Sequence, residues 1–190
     1  MANNFWGNSS FEPKRAFRFL VSLMINNEQL NYSAKSVDRP SYTVGEQSHQ
    51  FFNHTFYYPG RVTWNTVQIT LVDAVTPGGA DALYKYLDSV GVANPVGKTM
   101  TQATSTTITK ASATTALGTV KIREIGTSTE INASPDSLEQ GLWTLHNPFI
   151  TEVNFGSHSY DSDEMVEITV TLRYDWAEYT GHATPKQIPS

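Results

Sequence analysis

Val166-Glu167-Ile168-Thr169-Val170-Thr171-Leu172-Arg173-Tyr174-Asp175-Trp176 alternates six apolar residues with five polar ones. A period of two over eleven residues describes a long strand with one dry face and one wet face, and it predicts an antiparallel β-barrel or sandwich. The same pattern recurs upstream. Lys14 to Ile25 places Phe17, Phe19, Val21 and Leu23 on one side, and Val62 to Val72 places Val67, Ile69 and Leu71 inside with Thr66, Gln68 and Thr70 outside. Shorter strands are expected at 31–37, 118–125, 141–146 and 149–155. A single short helix is expected at Ala80 to Val90, with Leu83, Leu87 and Val90 on one stripe, Asp81 near the positive N-terminus and Gly91 as its stop. Trp64, Trp143 and Trp176 are expected in the core.

The chain of 190 residues is long enough for one domain with its own core. The absence of cysteine removes disulfides, thiol nucleophiles and Cys-ligated zinc. No basic stretch followed by an apolar run opens the sequence, and no segment approaches the roughly 18 apolar residues of a membrane span, so a soluble protein without a signal peptide is expected and no membrane insertion. The formal charge is −5 and uneven: residues 1–72 hold six Lys/Arg and four Asp/Glu, residues 151–190 two and seven. An acidic C-terminal part argues against a nucleic-acid-binding surface.

Arg39 to Gly60 is different in kind. It is polar and aromatic without clean alternation, and Pro40 and Pro59 bracket it. Proline suits strand edges and ends, so the segment reads as an extended arm, and Tyr42, Phe51, Phe52, Phe56, Tyr57 and Tyr58 form an exposed surface that a partner must cover. The alternative is a hairpin folded back on its own sheet. Residues 1–13 read as a flexible segment, the Thr/Ala-rich 95–116 as a long loop or mobile insertion, and 177–190 as a tail.

Candidate chemistry is sparse. Ser157 to Glu164 gathers a histidine, hydroxyls and three carboxylates, but without the ligand pattern or glycine of a calcium loop it reads as a polar hairpin turn. His49, His54, His146, His158 and His182 show no zinc-protease spacing and no nucleophile elbow. Gly78-Gly79 lacks the rest of a phosphate loop. No catalytic residue, metal site or cofactor is assigned, and a non-enzyme is expected.

In order, Arg15-Ala16-Phe17-Arg18-Phe19-Leu20-Val21, the arm ending Tyr57-Tyr58-Pro59-Gly60-Arg61, the strand Val62 to Asp73, the helix Leu83-Tyr84-Lys85-Tyr86-Leu87, the strand Trp143 to Gly156 and the closing Val166 to Ala177 form a succession. This succession, over about Lys14 to Trp176, resembles the tail tube proteins of contractile-tailed bacteriophages. The resemblance implies a small barrel-like domain at 14–176 that assembles into hexameric rings, stacked into the inner tube through which DNA is ejected without specific binding. It implies a virion location after synthesis in the host cytoplasm, with the chain itself and tail sheath, baseplate and tail-terminator proteins as partners. The arm at Arg39 to Gly60 would reach the adjacent ring, with Arg39, Tyr42, Phe51, Phe52, Phe56, Tyr57, Tyr58 and Arg61 as its inter-ring residues. Either Glu167, Thr169, Thr171 and Arg173 or Thr66, Gln68 and Thr70 would line the lumen. A baseplate tube-initiator, the tube of a secretion or injection machine, and a carbohydrate-binding β-sandwich remain as alternatives.

Overall fold

The computed structural model describes residues 14–26, 28–76, 78–92, 107–126, 139–161 and 163–181. Among them the fold is mainly β and antiparallel. The strands are β1 (Phe19–Ser22), β2 (Met24–Ile25), β3 (Glu28–Gln29), β4 (Ala34–Val37), β5 (Tyr42–Phe51), β6 (His54–Trp64), β7 (Val67–Val72), β8 (Val120–Ile125), β9 (Glu139–His146), β10 (Phe149–Asn154), β11 (Glu167–Arg173) and β12 (Trp176–Gly181). The helices are α1 (Gly79–Val90) and α2 (Lys110–Leu117). One four-stranded sheet runs β1-β8-β9-β12 and a second runs β4-β7-β11-β10, while β2-β3 and β5-β6 form separate ribbons.

The two large sheets share one hydrophobic cluster, and the period-two pattern explains which side chains enter it. Ile168, Val170 and Leu172 of β11 stand directly opposite Leu71, Ile69 and Val67 of β7, and all six are fully buried. Cross-strand apolar pairs of this kind are the unit of sheet stabilisation. From the first sheet, Val21 opposes Ile122 and Leu145 opposes Val120, all buried in the same cluster.

The helices cover this core from one side. α1 buries Ala82, Leu83, Tyr86 and Val90. Its first amides are held by Asp73, whose Oδ1 accepts from Gly79 N at 3.1 Å and Ala80 N at 3.3 Å. Gly91 ends it with φ 108°, a left-handed conformation in which glycine carries no Cβ penalty. Leu87, expected on the buried stripe, is 40% exposed instead. The buried face is rotated toward Ala82 and Tyr86, whose hydroxyl lies 3.4 Å from both Ala113 O and Ile150 N.

Several boundaries differ from the sequence-based expectation. Residues 110–116, read as part of a mobile Thr/Ala insertion, form α2 together with Leu117. A capping box in which Thr109 and Ser112 satisfy each other's backbone amides starts it, and Ala113 and Leu117 anchor it in the core. Residues 95–106 of that expected insertion, the flexible segment 1–13 and most of the tail lie outside the described residues. The tail region is nevertheless structured as far as Gly181, because β12 pairs with β9 from Trp176↔His146 to Gly181↔Gly141.

The deciding stretch is therefore not one strand. β11 stops at Arg173, Asp175 N donates to His146 O at 3.0 Å, and the chain crosses to the other sheet. The dry face persists through Tyr174, but the corner turns Trp176 outward. It is 46% exposed and stacks on His146 with ring centroids 4.7 Å apart and planes 12° apart. Trp64 and Trp143 are partly buried against the core as expected. The N-terminal strand begins only at Phe19, leaving Phe17 exposed, and residues 31–33 form a 3-10 turn before β4.

The sheet-crossing corner carries a pH dependence. Lys110 Nζ donates to both carboxylate oxygens of Asp175 at 2.7 Å and Asn147 Nδ2 to one of them at 2.8 Å. These bonds to Lys110 and then Asn147 hold its carboxyl below the usual carboxylate range. A depressed folded-state pKa contributes stability above the unfolded value that is lost as pH falls through the folded one. Asp175→Asn is expected to flatten the acid limb of a melting-temperature profile below about pH 4. Profiles of wild type and variant that run parallel there would refute this.

Candidate assembly surfaces

β5 and β6 form a hairpin that pairs with neither large sheet among the described residues. Ten or eleven residues per strand at about 3.4 Å each project it roughly 30 Å. Its root is fixed by Asn65, whose N–H donates to Ser41 O at 2.9 Å and whose Nδ2 donates to Ser41 Oγ at 3.0 Å. This clasp also ends β6 at Trp64, so the expected strand Val62 to Val72 is two strands, and the arm runs from Tyr42 to Trp64 and not from Arg39 to Gly60. Tyr42, Trp64 and Tyr174 continue the anchor as a chain of tilted rings, with centroids 5.5 and 6.0 Å apart.

A β-bulge between Val44 and Glu46 divides the hairpin. There the strands approach so closely that a Cβ on Gly60 would lie 3.0 Å from Gly45 O, so a larger residue would push the strands apart by a few tenths of an ångström. Beyond the bulge the pairs Gln47↔Tyr58, His49↔Phe56 and Phe51↔His54 share one face, while Glu46↔Pro59, Ser48↔Tyr57 and Gln50↔Thr55 share the other. One side of the distal arm is thus aromatic, with Tyr57 alone of the named aromatics on its back. At the tip Phe52 is 89% exposed at φ 51° and meets Phe51 edge-on at 4.6 Å. A phenylalanine at positive φ is unusual, and glycine or asparagine relieves the strain there. The sequence keeps the ring. Phe51, Phe52, Phe56, Tyr57, Tyr58 and Arg61 all lie on the exposed hairpin as named from the sequence, with Tyr42 at its root.

Arg39 is not on the arm. Its Nη2 lies 2.7 Å from Glu124 Oε1, and Glu124 also binds Lys14. Partial burial acts to lower the Lys14 pKa, but its bonds to Glu124 and Tyr179 outweigh that and raise it. These groups close a cavity of 820 Å³ between β1 and β4, floored by Phe19, Val37 and Ile122.

The two alternative polar strands prove to be neighbours. Thr70 opposes Thr169 and Gln68 opposes Thr171, and the bulged β10 adds Glu152 opposite Thr171 and Asn154 opposite Thr169. Glu167 lies on this face and takes a bond from Lys35 of β4, which raises the pKa of that lysine. Thr66 precedes β7 and Arg173 ends β11, both exposed. All seven residues thus belong to the outer side of one sheet. α1 approaches that sheet from the opposite side, where a Cβ on Gly79 would lie 3.5 Å from Ile168 Cδ1.

The sequence reading missed the bulge glycines, Glu124, and the charges at the sheet edges. Gly45 and Gly60, facing glycines in an otherwise aromatic arm, were the available signal for the bulge. For Glu124 there was none, because its role depends on Arg39 arriving from a different sheet. The Ser157 to Glu164 turn is exposed where described, and no group of three or more metal-ligating side chains occurs among the described residues. No helix of the described residues is long and apolar enough to cross a membrane.

No family model matches the sequence, and no curated protein matches it. Solved structures do. The cap of the anti-feeding prophage, described as its tube-terminating cap, superposes with a TM-score of 0.63 at 15% identity, over 96% of this chain and 100% of that one. The sheath/tube terminator of an extracellular contractile injection system in its extended state gives 0.61 at 14% identity, over 91% and 100%. A chain of the sheath-tube complex of such a system gives 0.58 at 16%, over 91% and 95%.

The fold is that of contractile-injection tube assemblies. The likeness spans 91–96% of this chain and 95–100% of those chains.

Proposed function

We propose that this chain is a structural subunit of the inner tube of a contractile tail. Rings of six copies stack into a channel, the hairpin reaches the adjacent ring, and the polar outer face of the β4-β7-β11-β10 sheet lines the lumen. The observation that supports this is the hairpin itself: a sandwich with a buried core projects about 30 Å of strand, one exposed face of which is aromatic. A monomer gains nothing from such an edge, and packing against another copy removes it from water.

The hydroxyl-rich composition of the outer face supports a passage without sequence-specific contacts, since phosphate binding relies on dense cationic side chains. In this reading the cargo is phage DNA, the location is the virion, and sheath, baseplate and terminator proteins are the partners. The role is structural and no catalytic step is assigned.

A second reading is favoured by the two highest of the reported superpositions, which are both with tube-terminating complexes of injection systems. On it the subunit forms the end ring of a tube. Electron microscopy of purified protein separates the readings. Open-ended hollow filaments are expected of a tube subunit, and single rings that never lengthen of a terminator. A uniform small particle at high concentration would overturn both and favour a carbohydrate-binding sandwich.

A further inference from the structure

We infer that His49 and His54 make the distal hairpin a pH-sensitive stacking surface, one that lets go of the neighbouring copy when the two imidazoles take up protons. The inference rests on the stacking reading above and adds to it the condition under which the contact holds.

Composition supplies the first argument. Residues 47–58, Gln-Ser-His-Gln-Phe-Phe-Asn-His-Thr-Phe-Tyr-Tyr, contain no Asp, Glu, Lys or Arg. Histidine is the side chain whose charge ordinarily changes between about pH 5 and 8, whereas a phenol ionises only near pH 10. His49 and His54 therefore set the charge of the distal hairpin across that range.

Register supplies the second. His49 stands opposite Phe56, and Phe51 opposite His54, all four on the aromatic face. The imidazoles and phenyl rings thus alternate at the corners of one patch. Each histidine has a phenylalanine across the ribbon and the other two residues along its own strand. Both histidines are exposed, and Phe51 and Phe56 are 58% and 50% exposed. A neighbour that takes these phenylalanines out of water takes the imidazoles with them. A neutral imidazole enters such a contact at modest cost, but an imidazolium without a counter-charge enters at a far larger one.

The hairpin itself offers no counter-charge. Its single carboxylate, Glu46, lies on the opposite face beside the bulge, and Arg61 next to it is a cation. The ribbon pairs with neither large sheet, so its own two strands supply the groups around the histidines, with Tyr58 as the remaining ionisable side chain of that face. A histidine buried neutral leaves the contact at full strength above the pKa of the free side chain, and weakens it about tenfold for each pH unit below. At about pH 5.5 two histidines weaken each subunit's contact roughly a hundredfold, and the copies of a ring compound the loss. This window lies above the acid limb on which Asp175 bears, so the subunit stays folded through it.

Tubes of the full-length protein assembled at about pH 7.5 and titrated to about pH 5.5 test this, followed by sedimentation and electron microscopy, with circular dichroism to show that the fold persists. Wild-type tubes are expected to give way to rings. His49→Gln with His54→Gln is expected to stay stacked throughout, and each single variant to unstack at a lower pH than wild type. In weak buffer, unstacking is expected to take up about two protons per subunit in wild type and about one in each single variant. That count decides the matter even where the double variant stacks poorly at neutral pH.

Wild-type tubes that keep their length at pH 5.5, a double variant that unstacks as wild type does, or equal proton uptake in wild type and single variants would overturn the histidine assignment and leave the stacking reading intact. Tubes that lengthen in acid would overturn it too, by placing the histidines against carboxylates of the next copy, such as the exposed Asp161 and Asp163. Wild-type protein that forms no tubes at any pH would overturn the stacking reading and this inference with it.

Discussion

Replacing Phe51, Phe52 and Phe56 by Ser leaves a folded subunit that no longer stacks. The three rings lie on the distal hairpin, all at least half exposed, so they contribute little to the fold of the free subunit. On the proposed stacking, their value lies in assembly. Burying a phenylalanine against a neighbour is worth about 1.5–3 kcal/mol, so losing three removes roughly 5 kcal/mol or more per subunit. At about 1.4 kcal/mol per factor of ten, that weakens each ring-to-ring contact by three orders of magnitude or more. On the same reading, contacts within a ring, which lie away from the distal hairpin, should survive. Sedimentation and electron microscopy check both halves, with an unchanged melting temperature as the control. Long tubes from the triple variant would show that the hairpin does not carry the stacking contact.

The second large effect is on stability. Leu117 is fully buried at the end of α2, so Leu117→Ala should cost about 3 kcal/mol through lost transfer and an unfilled cavity, a large share of a typical total of about 5–15 kcal/mol. Leu87→Ala, on a helix whose sequence places that residue in the apolar stripe, should cost markedly less, about 1 kcal/mol, because the residue is already 40% exposed. Urea denaturation of the two variants measures the difference. Equal destabilisation would mean that one of the two helix faces has been misplaced.

These residues also show where the sequence was informative. Period-two alternation marked the inner faces of β7 and β11 because burial on one side leaves its imprint on every second residue. It did not mark the sheet-crossing corner, since Tyr174 and Trp176 keep the period while the chain changes sheets, and only the backbone bond from Asp175 to His146 breaks the strand. α2 escaped notice because Thr, Ala and Ser give it almost no amphipathic pattern. Its formation depends on the local Thr109–Ser112 cap and on a core already present to receive Ala113 and Leu117. The arm was legible as a surface needing a partner, but its limits were not, because proline within β6 is tolerated beside a bulge on an unpaired ribbon. The two candidate polar strands could not be related from sequence, since nothing local says that β7 and β11 are adjacent.

The separateness of the hairpin bears on how the molecule melts. A two-stranded ribbon in water is marginal by itself, and its pairing is local, joining residues 42–51 to 54–64 across a two-residue turn. It can fray and reform without asking anything of the sandwich, as a low-stability unit beside a cooperative one. Calorimetry of the free subunit then registers the sandwich alone, and a change in the arm leaves no trace in the transition. Beyond its root and bulge, mutational drift in the hairpin is accordingly little constrained by folding, and on the proposed stacking the test that each new version of it faces is the next copy of the chain.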